Sequence, residues 1–288
     1  MNKKIVKMTV DEIHMELFKL LKDLDELFKK HGIKYFLAFG TLLGCIRDGG
    51  YIPWDDDIDI AVMPECWDKM NRILTEELDR NKYSVINRKT HKRSACWQYL
   101  TEVSVNGTFR RFDYFREEVA RKCGIVVDIF SLVKAPENKY IQKAWYWELG
   151  ILDGVIGIKG YKPGTFQIPF LSKCFCRTIF KDTDISRICE MREKIQRKYN
   201  SKCGKYLIVP FGPNGRYPLG KTLYKAEWFQ NVVMGKFTVY REGEAIESAM
   251  FPIPLNYEKI LKKTYGDWMK KPRGERTKGV SYWDRQEN

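Results

Sequence analysis

The sequence predicts an α+β fold, in which a mixed β-sheet forms an α/β-type core flanked by helices, with helical additions toward the C-terminus. Three observations carry this. Residues 9–30 set Ile13, Leu17, Leu20, Leu21, Leu24, Leu27 and Phe28 at helical spacing. Residues 33–39 and 58–62 are short apolar runs of strand length. Residues 124–130, Gly-Ile-Val-Val-Asp-Ile-Phe, form a third run rich in β-branched side chains.

The elements follow in order. Thr9, with Glu12 three residues later, forms a capping box for the first helix, and Gly32 stands where it stops. After the run 33–39 come a glycine-bounded turn and an acidic stretch that leads into 58–62. A helix starting near Pro64 spans 64–80, with Met70, Ile73, Leu74 and Leu78 inward. A strand resumes at 83–87, and residues 96–105 and 108–114 read as a hairpin about Asn106-Gly107.

The second half is more aromatic. Residues 136–158 read as a helix carrying Tyr140, Trp145, Tyr146 and Trp147, and a core stripe is favoured over a sugar-stacking platform. Pro163-Gly164 and Pro169 mark a loop over 160–170. Residues 170–180 are apolar enough to touch a membrane surface, although core burial is favoured. A charged helix at 185–199 precedes a strand and Pro/Gly-rich turn at 205–219. Residues 237–240 read as a strand, 251–254 as a rigid extended stretch and 256–264 as a helix. The expected organisation is a core with its N-terminal helix over 1–135 and a mostly helical region over 136–288, or one continuous domain over about 32–272.

Composition narrows the class. The 288 residues can bury a sizeable core, and 44% hydrophobic with 31% charged residues describes a soluble globular chain. No apolar run is long enough to span a bilayer, and residues 1–10 lack the apolar segment of an export signal. Eight cysteines without a C-x-x-C pair read as reduced thiols, which points to a cytoplasmic protein. The spacing of Cys174, Cys176, Cys189 and Cys203 fits no familiar zinc site. The net charge of +14 implies acidic partners. Its clusters at 88–93 and 270–273 lack the signature of an RNA-recognition module, so no nucleic acid is expected. A basic rim around phosphate-bearing substrates is the functional reading. His14, His31 and His91 support no nucleophilic triad.

The chemistry concentrates between residues 40 and 59. Gly40-Thr41-Leu42-Leu43-Gly44, with Arg47 about one helical turn later, offers close backbone approach, helix-start amides and a forked guanidinium for phosphate oxygens. Asp55, Asp56, Asp57 and Asp59 place four carboxylates in five positions. Neighbouring carboxylates repel by about 1 kcal/mol at 4 Å in water, and by more when withdrawn from it. Alternation puts Asp57 and Asp59 on one strand face, roughly 6.6 Å apart, within reach of a pair of divalent ions. Oxygen-only donors favour Mg²⁺ or Mn²⁺ over zinc. Spacing leaves open whether Asp55 or Asp56 contributes. A second carboxylate position, Asp128, sits within the run 124–130, where burial demands a partner, a proton or a metal.

These motifs, Gly40-Thr41-Leu42-Leu43-Gly44-x-x-Arg47 and Pro53-Trp54-Asp55-Asp56-Asp57-Ile58-Asp59, resemble the LicD family. That family is named for phosphorylcholine transferases of bacterial surface glycans and is related to fukutin-type transferases. The resemblance implies a nucleotidyltransferase-like fold. It marks Gly40, Thr41 and Gly44 as donor-phosphate positions, Asp57 and Asp59 as metal ligands, and Asp128 as the third carboxylate, both ligand and base. Ser131-Leu132-Val133 departs from the Pro and Asp the family often has there. The C-terminal segment from Pro252 to Trp268 also resembles the family's signature.

The implied activity is transfer of a phospho-substituent, phosphocholine in the type case, from a CDP-linked donor to a hydroxyl of a glycan or glycolipid precursor. Two Mg²⁺ or Mn²⁺ ions would assist it, with peripheral contact at the inner membrane leaflet. The alternatives are a nucleotidyltransferase acting on a small molecule, protein or RNA, and an inactive glycan- or membrane-associated scaffold.

Overall fold

The computed structural model describes residues 5–90, 100–110, 116, 124–165, 167–168, 170–200, 204–209, 222–271 and 283–286. Its centre is a five-stranded mixed sheet in the order β2 (Tyr35–Leu37), β3 (Ile58–Val62), β7 (Val126–Ser131), β5 (Leu100–Val105), β4 (Tyr83–Ile86). β3 and β7 run parallel, and the other neighbours are antiparallel. The α+β expectation holds.

Ile58, Ile60 and Val62 are fully buried on one face of β3. Helix α1 (Val10–Lys30) lies over that face. Tyr35 of β2 donates its hydroxyl to Asp25 at 2.7 Å, and Tyr83 of β4 donates to Asp23 at 2.8 Å, so both edge strands are tied to one helix. The predicted capping box is present: Thr9 Oγ1 accepts from Glu12 N–H, while the Glu12 carboxylate accepts from Thr9 N–H. Gly32 takes φ +60° after the helix, a left-handed geometry glycine adopts without steric cost. Helix α3 (Trp67–Glu77) begins through a short 3-10 turn, Pro64–Cys66, and buries Met70, Ile73 and Leu74 as its spacing predicts.

The opposite face carries Asp59 and Ala61. Phe36 and Phe130, in register with Ala61 from either side, pack under Phe229 and Phe39 respectively. This apolar half covers one end of the face and leaves the other to carboxylates.

The hairpin about Asn106-Gly107 needs correction. The turn forms, with Gly107 at φ +76°, but β5 and β6 (Thr108–Arg110) separate. Both edges of β5 are taken, by β4 and β7, so β6 pairs instead with β13 (Trp283–Gln286), which also pairs β1 (Ile5–Lys7). A strand has only two edges to give.

Beyond the core, α4 (Lys139–Gly160), α5 (Phe170–Arg177) and α6 (Ile185–Gln196) build a second apolar cluster around Leu152, Val155, Ile156, Tyr161, Phe180 and Ile188. Fully buried Arg192 of α6 holds Asp153 of α4 at 2.8 Å and also donates to Gln196. β8 (Val133–Lys134), β9 (Tyr206–Ile208) and β10 (Leu223–Lys225) form a small sheet.

The chain then returns to the main core. β11 (Val232–Arg241) and β12 (Glu244–Pro254) form a long hairpin whose Phe237 and Phe251 pack on Phe18, and α7 (Tyr257–Tyr265) follows. The short segments expected at 237–240 and 251–254 are the two arms of this hairpin. The core stripe expected along α4 holds for Trp145 and Tyr146, whereas Tyr140 and Trp147 face outward. Core burial over 170–180 holds for Phe180 but not for Phe170, Leu171 or Ile179, because short α5 buries only Ser172. The expectations at 91–99, 111–114, Pro169, Cys203, 210–219 and 272–273 lie outside the described residues.

Candidate active site

Helix α2 (Phe39–Arg47) starts directly after β2. The turn into it is made at Phe39, whose φ of +42° is left-handed and costly for a bulky side chain. Its ring is held edge-on by Phe130, centroids 5.2 Å apart. Ala38 N–H bonds Asp59 O at 2.9 Å, and Thr41 Oγ1 accepts from Asp59 N–H at 2.8 Å. The start of α2 is thereby fastened to the strand that carries Asp59. A Cβ at Gly40 would lie 2.7 Å from Asp55 Oδ2 and 3.9 Å from Asp59 Oδ2. Glycine at this position makes room for the Asp55 carboxylate, while Asp59 lies at ordinary contact distance.

The acidic turn is built from behind. Asp55 N–H bonds Ile52 O at 2.9 Å, and the Asp55 carbonyl accepts from His14 Nε2 at 2.6 Å. The His14 ring stacks flat on Tyr51, centroids 3.9 Å apart, and the Tyr51 hydroxyl donates to the His14 carbonyl. Burial lowers the His14 pKa, opposed by the Asp55 carbonyl and by the charges of Asp11 and Asp56. Burial also pushes the Tyr51 hydroxyl well above its ordinary range. A neutral imidazole donating through Nε2–H therefore holds the turn. Asp55 and Asp56 are buried and Asp57 is half-buried, and one oxygen from each lies within 4.8 Å of the others.

Across the sheet, Asp59 stands in register with Asp128 on parallel β7, and Asp128 with Glu102 on antiparallel β5. Partners in register share a face with Cβ atoms about 4.5–5.5 Å apart. Three carboxylates thus line one row, reached from one side by the acidic turn. Asp57 falls immediately before β3 rather than within it.

Gly44 and Arg47 stand elsewhere. A Cβ at Gly44 would meet Gly50 O at 2.5 Å and Ile52 N at 2.9 Å, so this glycine lets the loop before the acidic turn press on α2. Arg47, at the far end of α2 from Gly40, pairs with Asp48 at 2.7 Å, and Lys271 takes the other oxygen of Asp48 at 2.9 Å. The structure sets Gly40 and Thr41 beside Asp59, Asp59 in register with Asp128, and Asp57 in the acidic turn with Asp55 and Asp56, whereas Gly44 packs on the loop at Gly50 and Ile52 and Arg47 pairs with Asp48.

Sequence reasoning passed over Glu102, His14 and Tyr51. Alternation of Thr101, Val103 and Val105 against Glu102 and Ser104 marked a carboxylate on a strand face, but nothing local said that β7 lies beside it. The role of His14 had no local signal at all.

The donor set fits a hard divalent cation: every candidate ligand atom is a carboxylate oxygen, and the close approach of Asp55, Asp56 and Asp57 is electrostatically costly without positive charge nearby. Among the described residues, no helix is long and apolar enough to cross a membrane.

Residues 32–149 match the family described as LicD/FKTN/FKRP, nucleotidyltransferase domain. Over 62 residues, 22% of this chain, the sequence is 45% identical to an uncharacterized protein of Rickettsia prowazekii and 51% identical to one of Rickettsia typhi. These matches span only 23% and 20% of those proteins. A third relative, the lipopolysaccharide cholinephosphotransferase LicD of Haemophilus influenzae, is 26% identical over 92% of this chain and 93% of its own length.

Proposed function

Through residues 32–149 this chain belongs to the LicD family, and from that premise we propose that it is a metal-dependent phosphotransferase. It would move a phospho-substituent, phosphocholine or a relative, from a CDP-linked donor to a hydroxyl of a cell-surface glycan or glycolipid precursor. The carrying observation is the register of Asp59 with Asp128 beside the Gly40-Thr41 helix start. The end-to-end similarity to a cholinephosphotransferase supports the same reading.

In this reading Asp57, Asp59 and Asp128 would hold two Mg²⁺ or Mn²⁺ ions through oxygen donors, with Asp55 and Asp56 adding negative charge behind them. When bound, the ions neutralise the donor diphosphate and the leaving nucleotide. Thr41 accepts from Asp59 N–H and keeps its own hydroxyl hydrogen for a phosphate oxygen of the donor. The open backbone at Gly40 allows that approach. Asp128 takes the proton of the acceptor hydroxyl as its oxygen bonds to phosphorus and the bond to CMP breaks. Gly44 keeps the loop seated, and Arg47, held by Asp48 at the far end of α2, braces the helix and is not placed at the donor phosphate. We place the reaction in the cytoplasm, at the inner face of the membrane.

A nucleotidyltransferase is the second reading, favoured by the description of the matched domain. Thermal unfolding with CDP, CDP-choline, CDP-ribitol, CTP, ATP and UTP, each with Mg²⁺ or with EDTA, separates the two. A ligand bound only by the folded state raises apparent stability by mass action. Mg²⁺-dependent stabilisation led by CDP and its conjugates is expected. Stabilisation by a triphosphate alone would shift the assignment to nucleotide transfer, and no shift with any ligand would favour an inactive scaffold.

A further inference from the structure

We propose that the outward face of α4 and α5 docks on an anionic lipid bilayer, with lipid phosphate seated in the basic cavity between them. The starting observation is an apolar stripe on α4 that is uncovered over its first turns. Tyr140, Ala144 and Trp147 are exposed on one side, opposite the buried Trp145, Leu149, Leu152 and Ile156, and farther along that side Ile151 and Ile158 are half-buried about the buried Val155. Tyr140 is 84% exposed and Trp147 60% exposed. Tyrosine and tryptophan, apolar bodies with one polar handle, favour the level of lipid headgroups.

The stripe runs to a cavity of about 630 Å³ lined by Ile158 and by Arg116, Lys162, Lys173 and Arg177. Among the described lining residues there is no carboxylate. Arg116 is fixed in place, its Nε donating to Tyr161 O at 2.9 Å and its backbone N–H to Gly160 O. Beside the cavity α5 turns Phe170 outward, 76% exposed, and Ile179 follows at 65%. Exposed aromatics and aliphatics interleaved with cations, on a surface helix and not a spanning one, are the chemistry of interfacial binding. The complementary charge commits the occupant: a zwitterionic surface would match the apolar groups but leave four clustered cations unanswered.

This surface is separate from the row of Asp59, Asp128 and Glu102, so its test needs no turnover. The full chain would be floated with vesicles of pure phosphatidylcholine and with vesicles of phosphatidylcholine and phosphatidylglycerol in equal parts. Binding to the phosphatidylglycerol vesicles that weakens as salt is raised is expected, with little on phosphatidylcholine alone. The double variant Lys173→Glu, Arg177→Glu should lose at least about tenfold in partitioning, and Trp147→Ser several-fold. All three positions are solvent-facing, and matching melting curves would confirm that folding is intact. Quenching of tryptophan fluorescence by brominated lipid should fall in Trp147→Phe. Equal flotation of the charge-reversed variant, no binding of the parent chain to phosphatidylglycerol, saturation by inorganic phosphate without vesicle binding, or a dimer that shields Trp147 would each overturn the proposal.

Discussion

The imidazole Nε2 of His14 lies 2.6 Å from the carbonyl oxygen of Asp55, joining the first helix to the turn that presents the carboxylates. The bond is buried, and the ring is held by its stack on Tyr51. Replacing His14 by Ala removes the donor and leaves the carbonyl without it, at a cost of about 1–3 kcal/mol. A fall in melting temperature together with a lower kcat is expected. Unchanged kcat at full occupancy of the folded state would show that the turn keeps its shape without this bond.

The same residue sets a pH dependence. Burial lowers the folded-state pKa of His14 below its ordinary 6.5, so the unfolded chain binds the proton more readily. Stability contributed by this group is therefore intact above about pH 6.5 and is lost as pH falls below it, by at most about 1.4 kcal/mol per pH unit. His14→Gln keeps an amide donor but cannot titrate. Its stability between pH 5 and pH 7, from urea unfolding, should follow a flatter curve than the parent's.

Substituting Asp59 or Asp128 by Asn keeps shape while removing charge from the carboxylate row. Loss of about a hundredfold or more in kcat is expected, with melting temperature unchanged or raised, because like charges stand in register there. Transferase assays run across Mg²⁺ concentration, beside unfolding curves, check both halves. Lost folding, or retained turnover, counts against the assigned roles.

Gly40 and Gly44 separate chemistry from architecture. A methyl at Gly40 meets the tip of a flexible side chain, Asp55 Oδ2, which swings away cheaply. Gly40→Ala should therefore lose activity with little loss of stability. A methyl at Gly44 meets backbone at 2.5 and 2.9 Å, which cannot yield so easily. Gly44→Ala should cost about 1–3 kcal/mol. Calorimetry and steady-state rates on the pair would show opposite patterns.

Arg192 and Asp153 make a buried pair between α6 and α4. Arg192→Ala strands the Asp153 charge and should cost about 3–5 kcal/mol, whereas Arg192→Met with Asp153→Leu should recover most of it. A double-mutant cycle in urea measures the coupling.

Much of this arrangement was legible in the sequence because its causes are local. The capping box of Thr9 and Glu12, the amphipathic stripe of α1 and the alternation around Asp59 each depend on residues within a turn or two. The glycine–hydroxyl turn and the carboxylates could be joined into one site by resemblance. What escaped depends on which strands become neighbours. Glu102 joins the row only because β5 lies beside β7, and the arms about Asn106-Gly107 part because β5 has no free edge. His14 reaches Asp55 from 41 positions away. The length of the β11–β12 hairpin was hidden because its outward face is mixed in character.

The placement of β7 has a consequence for how the protein is made. β7 lies between β3 and β5, yet follows both in the chain, so as the polypeptide leaves the ribosome each of those strands waits with one edge unpaired. A nascent apolar strand with an open edge invites pairing with a second chain. Asp55, Asp56, Asp57 and Asp59 put mutual repulsion at the entry to β3 during that interval, as charged gatekeepers do beside aggregation-prone strands. The proposed cation ligands Asp57 and Asp59, with Asp55 and Asp56, would then also discourage mispairing of the unfinished chain.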